Sequence, residues 1–582
     1  MRKTKIICTL GPATNKDSVV RELMLAGMNV ARFNFSHSTQ AEHKARFEQL
    51  VRIREELGLP VAALLDTKGP EIRLKKFEKG FVELSPGDMI TFTTKDVIGN
   101  ESVCSITYQD FPKDVRPGTK ILVDDGLVEL EVEKVKGGDV VCRAINGGRL
   151  ADNKSVNVPD VHLSIPFMSE QDKSDIIFGA KLGFDFIAAS FTRCANDIIE
   201  IRELLEKEGI HDIKIIAKIE NMEGVNNADE ILRFADGLMV ARGDLGVEVP
   251  LEDIPAIQKH LITKAYRAGK IVITATQMLD SMAKNPRPTR AEATDVANAV
   301  YDNTSAIMLS GETANGMYPI EAVRTMSRIA ERAEQDIDYI FRFDQFSQIK
   351  CADVTNAISH AACTTAHDLG AKAIITVTKS GYTVSEISKF RPKPMIIALT
   401  TSERVCRQMN LFWGVVPLMI DEKRTTDELF EHAVDIAHAK GYVDNGDLVV
   451  LTAGAPVGIS GTTNLLKVHV VGKILVSGTG VNNRSVAAKL CVCKNAEEAL
   501  QKFQSDEILV IPYTTNELFG LLKHAKGIVT ETDGLNSHAA IAGLALDIPV
   551  VVGAKNATKI LKDGVIVNLD AGHGVVCSST SK

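Results

Sequence analysis

A chain of 582 residues is too long for one hydrophobic core, and at roughly one domain per 150 residues it predicts three or four domains. A hydrophobic fraction of 45%, a charged fraction of 24% and a mean hydropathy of +0.02 exclude the disordered and fibrous classes. A net charge of -8 leaves no basic footprint, so neither nucleic acid nor a membrane surface is an expected partner.

The chain opens with Met1-Arg-Lys-Thr-Lys5 and runs straight into a strand-like segment, with no apolar leader, which predicts a cytoplasmic protein. Strand-like runs end near Leu10, Phe35 and Asp66 and resume at Ala188, Ala217, Val240, Ile273 and Met308, most followed by an amphipathic helical stretch. Eight βα units predict an α/β fold with a TIM barrel over residues 1–69 and 156–340, its active site at the C-terminal ends of the strands.

The third unit is interrupted, because roughly 100 residues separate Asp66-Thr-Lys-Gly-Pro70 from the next helix, near Ser169. Turns such as Ser85-Pro-Gly-Asp88 and Arg116-Pro-Gly-Thr119 divide this insert into short alternating runs, which predicts a small β-barrel lid over 70–155. A second βα series follows, with strands at Ala373–Thr378, Met395–Leu399, Val415–Ile420 and Leu448–Thr452, giving a separate α/β domain over 341–472. Residues 473–582 carry further strands, including Glu507–Ile511, and read as an appended fourth domain. Ten cysteines are scattered through the chain; the closest pair, Cys491 and Cys493, has neither zinc nor thioredoxin spacing, so reduced, buried thiols are expected.

Polar residues concentrate where the barrel strands end. Strand two places Arg32, Asn34 and Ser36 on one face, and strand three ends in Asp66-Thr67, whose oxygens with Asn34 and Ser36 could hold a hard cation. Each could instead bond the strand-end loops, and Asp66 could be a helix cap. Strand five ends Lys218-Ile-Glu220 and strand six Arg242-Gly-Asp-Leu-Gly246; Glu220 and Asp244 could hold Mg²⁺ with Lys218 facing an anionic substrate, or Lys218 and Glu220 could be a buried ion pair. Strand seven adds Thr276 and Gln277, and strand eight Ser310 and Glu312. In the second α/β series, Thr376-Val-Thr-Lys-Ser-Gly-Tyr-Thr383 joins a strand to a helix and offers hydroxyls, a lysine and amides to a phosphate, as ordinary βα turns also do.

The segments Arg32-Phe-Asn-Phe-Ser-His37, Asp66-Thr-Lys-Gly-Pro-Glu-Ile-Arg73, Lys218-Ile-Glu-Asn221, Met239-Val-Ala-Arg-Gly-Asp-Leu-Gly-Val247, Thr274-Ala-Thr-Gln-Met278 and Met308-Leu-Ser-Gly-Glu-Thr313 together resemble the signatures of pyruvate kinases, in family order across residues 1–472. The resemblance implies phosphoryl transfer from phosphoenolpyruvate to ADP, the last step of glycolysis, giving pyruvate and ATP with Mg²⁺ (or Mn²⁺) and K⁺. It implies that Arg32 and Lys218 contact the phosphoryl group, with Lys218 stabilising the transition state. Gly243, Asp244 and Thr276 would bind the carboxylate end of the substrate. Glu220 and Asp244 would bind Mg²⁺, and Asn34, Ser36, Asp66 and Thr67 would bind K⁺; Glu71 resembles the K⁺-dependent branch. Asn34, Phe35, Ser36, His37, Arg73 and Lys154 would meet the nucleotide. Thr276, Ser310 and a bound water remain alternatives as proton donor to the enolate. The 341–472 domain would bind a phosphorylated activator, a sugar phosphate or AMP, through Thr378, Lys379, Ser380 and Thr383, and the enzyme would be a homotetramer.

The last domain resembles the phosphohistidine domain of phosphoenolpyruvate-utilising enzymes, through Thr530-Glu-Thr-Asp-Gly-Leu-Asn-Ser-His538-Ala-Ala-Ile-Ala542. His538 matches the phosphorylated histidine, but Asp533-Gly534 replaces paired glycines and Asn536 a threonine, so no catalytic role is expected of it. Two other readings are a phosphohistidine transferase resembling pyruvate phosphate dikinase, which would need an ATP-grasp domain, and a silent barrel kept for sensing. The presence of Lys218, Glu220 and Asp244 favours the active kinase over both.

Overall fold

The computed structural model describes residues 1–346, 353–423, 425–454, 463–472 and 474–578. The domain boundary expected at 473 lies outside them. The chain divides into two compact units: Met1–Gln348 with Ser380–Pro392 and Thr400–Met419, and Ile349–Lys379 with Lys393–Leu399 and Ile420–Lys582.

In the first unit, eight strands close into a parallel barrel: β1 (Lys5–Thr9), β2 (Val30–Asn34), β3 (Ala62–Asp66), β4 (Phe186–Ala189), β5 (Lys214–Ile219), β6 (Gly237–Ala241), β7 (Ile271–Ala275) and β8 (Ala306–Leu309). Their order around the barrel is β1-β8-β7-β6-β5-β4-β3-β2, closing β2 onto β1. The strands are mostly apolar along their middles because both faces are covered, one by the packed interior and one by the helices, and their polar residues fall mainly at the ends. Helix starts are set by local chemistry. Thr39 with Glu42, Ser169 with Asp172 and Thr289 with Glu292 form capping boxes ahead of Gln40–Leu57, Glu170–Leu182 and Arg290–Tyr301.

The insert leaves the barrel after β3. Gly69 makes this exit possible: its φ of 73° is left-handed, and a Cβ there would sit 2.8 Å from the Ser190 side chain. The insert itself is a curled sheet of seven strands with a two-stranded ribbon, Phe81–Leu84 against Gly148–Ala151, around a core that includes Phe92, Phe111 and Leu130. Alternating burial along Asp139–Ala144 shows why one face of this sheet needs only one apolar side.

In the second unit, Ala373–Val377 pairs in parallel with Met395–Thr400 and Leu448–Gly454, and Thr463–Val470 closes the edge antiparallel. The C-terminal part builds an eight-stranded mixed sheet with its own core, including Leu490, Val510, Val529 and Leu569. Among the described residues every cysteine is a free thiol, and all but Cys194 are buried.

Candidate active site

The polar strand ends meet at one mouth of the barrel. β2 and β3 pair with Asn34 opposite Asp66, so the side chains of the two strands rise in register. Asp66 is fully buried and takes two cations: Arg32 Nε at 2.6 Å on one oxygen and Lys218 Nζ at 3.1 Å on the other. Lys218 Nζ also lies 2.9 Å from Glu220 Oε1 and donates to Ser190 Oγ at 2.7 Å. Arg32 is steadied further by Thr9 Oγ1 at 2.9 Å.

Titration in this cluster follows from its charges. Burial alone would push the Asp66 carboxyl up, but Lys218 and Arg32 outweigh it and hold the group below its ordinary value. Burial likewise works against the Lys218 ammonium, and Asp66 and Glu220 override it, so the ammonium stays charged. Glu220 moves the other way, raised first by burial and then by the neighbouring Asp244 carboxylate.

Glu220 is fully buried, and its Oε2 accepts the Phe191 N–H at 2.6 Å. Phe191 reaches it by adopting a left-handed φ of 55°, strain of the kind that collects at functional sites. The other oxygen of Glu220 faces only the Lys218 ammonium, and Asp244 has no hydrogen bond or ion pair among the described residues. Two nearby carboxylates with free lone pairs suit Mg²⁺, which takes few protein ligands and keeps waters. A cluster of three or more His, Cys, Asp or Glu is absent among the described residues, so a denser metal cage is not built there.

The oxygens assigned to K⁺ are partly committed. Asn34 Oδ1 accepts the Ser36 N–H at 3.1 Å, and the Thr67 hydroxyl accepts from Ser190 N at 3.0 Å while donating to Ala188 O at 3.3 Å. The Thr67 carbonyl accepts from Ser190 Oγ at 2.7 Å. The set remains all oxygen with one ionised carboxylate, which fits a hard monovalent cation.

Gly243 and Thr276 meet directly, the Gly243 N–H donating to Thr276 Oγ1 at 2.8 Å. Asp244 borders two cavities, one of about 420 Å³ between the return of the insert and the loops after β4 and β5, and one of about 410 Å³ beside Gly243 and Gln277.

The nucleotide residues are less concentrated. Phe35 is buried and stacked on His43 with ring centroids 4.0 Å apart, so its side chain serves the core. The His37 carbonyl pairs with His43 Nε2 at 2.8 Å, while its own ring is exposed. Arg73 forks onto Glu71 at 2.9 and 3.1 Å and donates to Asn153 O at 2.8 Å; Lys154 pairs with Asp124 at 2.7 Å. Both stand at the base of the insert, and among the described residues neither shares a hydrogen bond or ion pair with the Lys218 cluster.

No sequence motif points to Ser190. It follows β4 and ties Lys218, Asp66 and Thr67 together, yet a lone serine in Ala188-Ala-Ser-Phe-Thr192 carries no motif. Only its position at a strand end could have flagged it.

Elsewhere, Thr378 and Lys379 follow the strand Ala373–Val377, and Lys379 pairs with Glu422 at 3.8 Å. Ser380 precedes the helix Tyr382–Ser388, within which Thr383 is buried. His538 opens the helix His538–Leu546, with its Nδ1 2.9 Å from Thr514 Oγ1.

Known proteins agree with this layout. The model of "Pyruvate kinase, barrel domain" matches residues 1–323, that of "Pyruvate kinase, alpha/beta domain" residues 356–469, and that of "PEP-utilising enzyme, mobile domain" residues 503–574. A pyruvate kinase of Geobacillus stearothermophilus is 51% identical over 577 residues, covering 99% of this chain and 98% of its own. Pyruvate kinases of Sporosarcina psychrophila and Bacillus licheniformis are each 48% identical over 578 residues, covering 99% of both chains.

Proposed function

The chain belongs to the pyruvate kinase family and moves the phosphoryl group of phosphoenolpyruvate onto ADP, giving pyruvate and ATP; from that premise we propose that the Lys218 cluster is where the transfer takes place. The observation that carries the reading is a buried ammonium shared by Asp66, Glu220 and Ser190 beside the Arg32 guanidinium. Phosphoryl transfer needs placed cations more than a protein nucleophile, since its transition state spreads charge over the transferred oxygens.

Arg32 and Lys218 hold those oxygens. Gly243, Asp244 and Thr276 receive the carboxylate end, which orients the bridging oxygen toward Lys218. Once the phosphoryl group has left, Lys218 stabilises the enolate oxygen, and its ordinary charge state is secured by Asp66. Thr276, Ser310 and a bound water are the groups placed to deliver the proton that the enolate carbon takes up. Glu220 and Asp244 would hold Mg²⁺ (or Mn²⁺), and Asn34, Ser36, Asp66 and Thr67 would hold K⁺, adding positive charge around the phosphoryl oxygens. Arg73, Lys154 and the backbone of Asn34–His37 meet the nucleotide while the insert excludes water.

The same reading makes the enzyme a cytoplasmic homotetramer, activated by a sugar phosphate or AMP at Thr378, Lys379, Ser380 and Thr383. His538 takes no part in the transfer.

Pyruvate formation from phosphoenolpyruvate and ADP with Mg²⁺, followed with and without K⁺, tests these assignments. K⁺-dependent turnover that Lys218→Met abolishes and His538→Ala spares is expected. Turnover surviving in Lys218→Met removes the proposed site, and loss in His538→Ala returns the last domain to the mechanism.

A further inference from the structure

The turn leaving β7 is held in an unfavourable shape. Thr276 and Gln277 both have left-handed backbone, φ 65° and 51°, a region that side-chain-bearing residues rarely enter and that a β-branched threonine tolerates worst. Two such residues in succession persist only where the surroundings over-determine them.

Arg242 supplies that constraint. Its Nη2 donates to Thr276 O at 2.7 Å and its Nε to Ala275 O at 3.2 Å, while Nη1 donates to Asp295 Oδ1 at 2.7 Å. The guanidinium side chain is only 11% exposed, so these bonds compete little with water. Asp295 comes from the helix Arg290–Tyr301 and aims the fork, leaving the other two edges for the turn.

The consequence lies one bond further on. With its backbone fixed, Thr276 donates its hydroxyl hydrogen to Ala275 O at 2.6 Å and turns the oxygen to the Gly243 N–H at 2.8 Å. Arg242 and Asp295 line the same cavity as Gly243, Asp244 and Gln277. One cation thus fixes the turn that carries Thr276, and through the Thr276 hydroxyl it meets Gly243, two of the three groups that the proposed function gives to the carboxylate end of phosphoenolpyruvate.

We propose that Arg242, aimed by Asp295, is a positioning residue for phosphoenolpyruvate, acting through the strained 275–277 turn and not through the nucleotide side of the site. The inference rests on the placement of the substrate carboxylate at Gly243, Asp244 and Thr276. Lysine in place of Arg242 keeps the charge but, as a point donor, cannot bridge two carbonyls and a carboxylate at once. Asp295→Asn keeps a hydrogen-bond acceptor and loses the charge that aims the fork.

The test compares wild type, Arg242→Lys and Asp295→Asn in the full chain. KM for phosphoenolpyruvate, KM for ADP, inhibition by oxalate and the melting temperature are measured for each. Arg242→Lys is expected to raise KM for phosphoenolpyruvate and the oxalate inhibition constant together, by about 10- to 100-fold, the loss that misplacing a reacting group brings, with KM for ADP within about twofold. Asp295→Asn is expected to move the same two constants by a smaller factor, and it carries the comparison by itself if Arg242→Lys does not fold. A lower melting temperature with all three constants unchanged, or an equal rise for both substrates, overturns the inference. An inactive wild type would instead overturn the proposed function.

Discussion

At the scale of single residues, the barrel mouth is organised by a hydroxyl. Ser190 Oγ carries one hydrogen, which the Thr67 carbonyl at 2.7 Å claims more strongly than Asp66 Oδ1 at 3.2 Å, while its lone pair takes the Lys218 ammonium at 2.7 Å. Removing it strands a buried carbonyl and frees one of the three donors of Lys218. Ser190→Ala should therefore cost about 1–3 kcal/mol of stability, the range for an unsatisfied buried polar group. It should also lower kcat about 10-fold, roughly 1.4 kcal/mol of transition-state stabilisation. Denaturant melts and steady-state kinetics on Ser190→Ala and Ser190→Thr decide the point: the threonine, which keeps the hydroxyl, should recover most of the activity. Equal kcat in alanine and wild type would show that Asp66 and Glu220 alone fix the ammonium.

Elements explain what the sequence could and could not foretell. The two-residue period of a strand put Arg32 and Asn34 on one face, and it put Lys218 and Glu220 on another, because alternation is a property of the backbone and independent of tertiary context. Eight β-branched runs sufficed to expect the barrel, whose parallel order follows from the helices between them. Sequence gave no sign of the left-handed residues Phe191, Thr276 and Gln277, since none is a glycine or asparagine and only the surrounding contacts force the shape. Nor did it reveal that the side chain of Phe35 belongs to the core, or how the insert is fastened. That fastening lies in the return segment: Asn157 Nδ2 donates to Glu248 Oε1 at 2.9 Å, Arg193 Nη1 donates to Ile165 O at 3.1 Å, and His162 Nδ1 sits 3.2 Å from Glu223 Oε2. Glu248→Ala removes the acceptor at the end of the helix Arg242–Glu248, which carries Asp244. We expect faster amide hydrogen exchange across 155–165 and a severalfold higher KM for ADP, because Arg73 and Lys154 depend on the strand at that same end. Exchange unchanged in the variant would assign the fastening to Arg193.

At the scale of the whole molecule, an acidic chain nevertheless gathers cations in one place. The sequence carries a net charge of -8, yet the first unit gathers the buried Lys5 and Arg391 with the half-buried Arg2 and Lys3, and Glu334 offsets Arg2, Lys3 and Lys5. Lys5 donates to Val415 O at 2.5 Å, a neutral partner. Burial lowers Lys5 to about 7, with Arg2 adding to the shift, and burial lowers Lys3 to about 8 against the pull of Glu334. Both folded values lie below those of an unfolded lysine, near 10.4. Between about pH 7 and pH 10 these two lysines therefore hold more protons in the unfolded chain than in the folded one, and their contribution to stability rises with pH across that window, against buried thiols such as Cys8, whose raised values work the other way. Below pH 7 both states are protonated and the full penalty of the buried charge is present. The chain carries one tryptophan, Trp413, and it stands in this cluster, with Lys3 Nζ and the Arg391 guanidinium each 4.9 Å from its ring. Its fluorescence thus follows unfolding of this unit separately from the other. Lys5→Met should raise the midpoint of the Trp413 transition at pH 7 and flatten its climb toward pH 10, since a thioether fills the space without a proton to lose. A variant whose midpoint climbs as steeply as wild type would place the pH dependence in Lys3 and leave Lys5 charged by its neighbours.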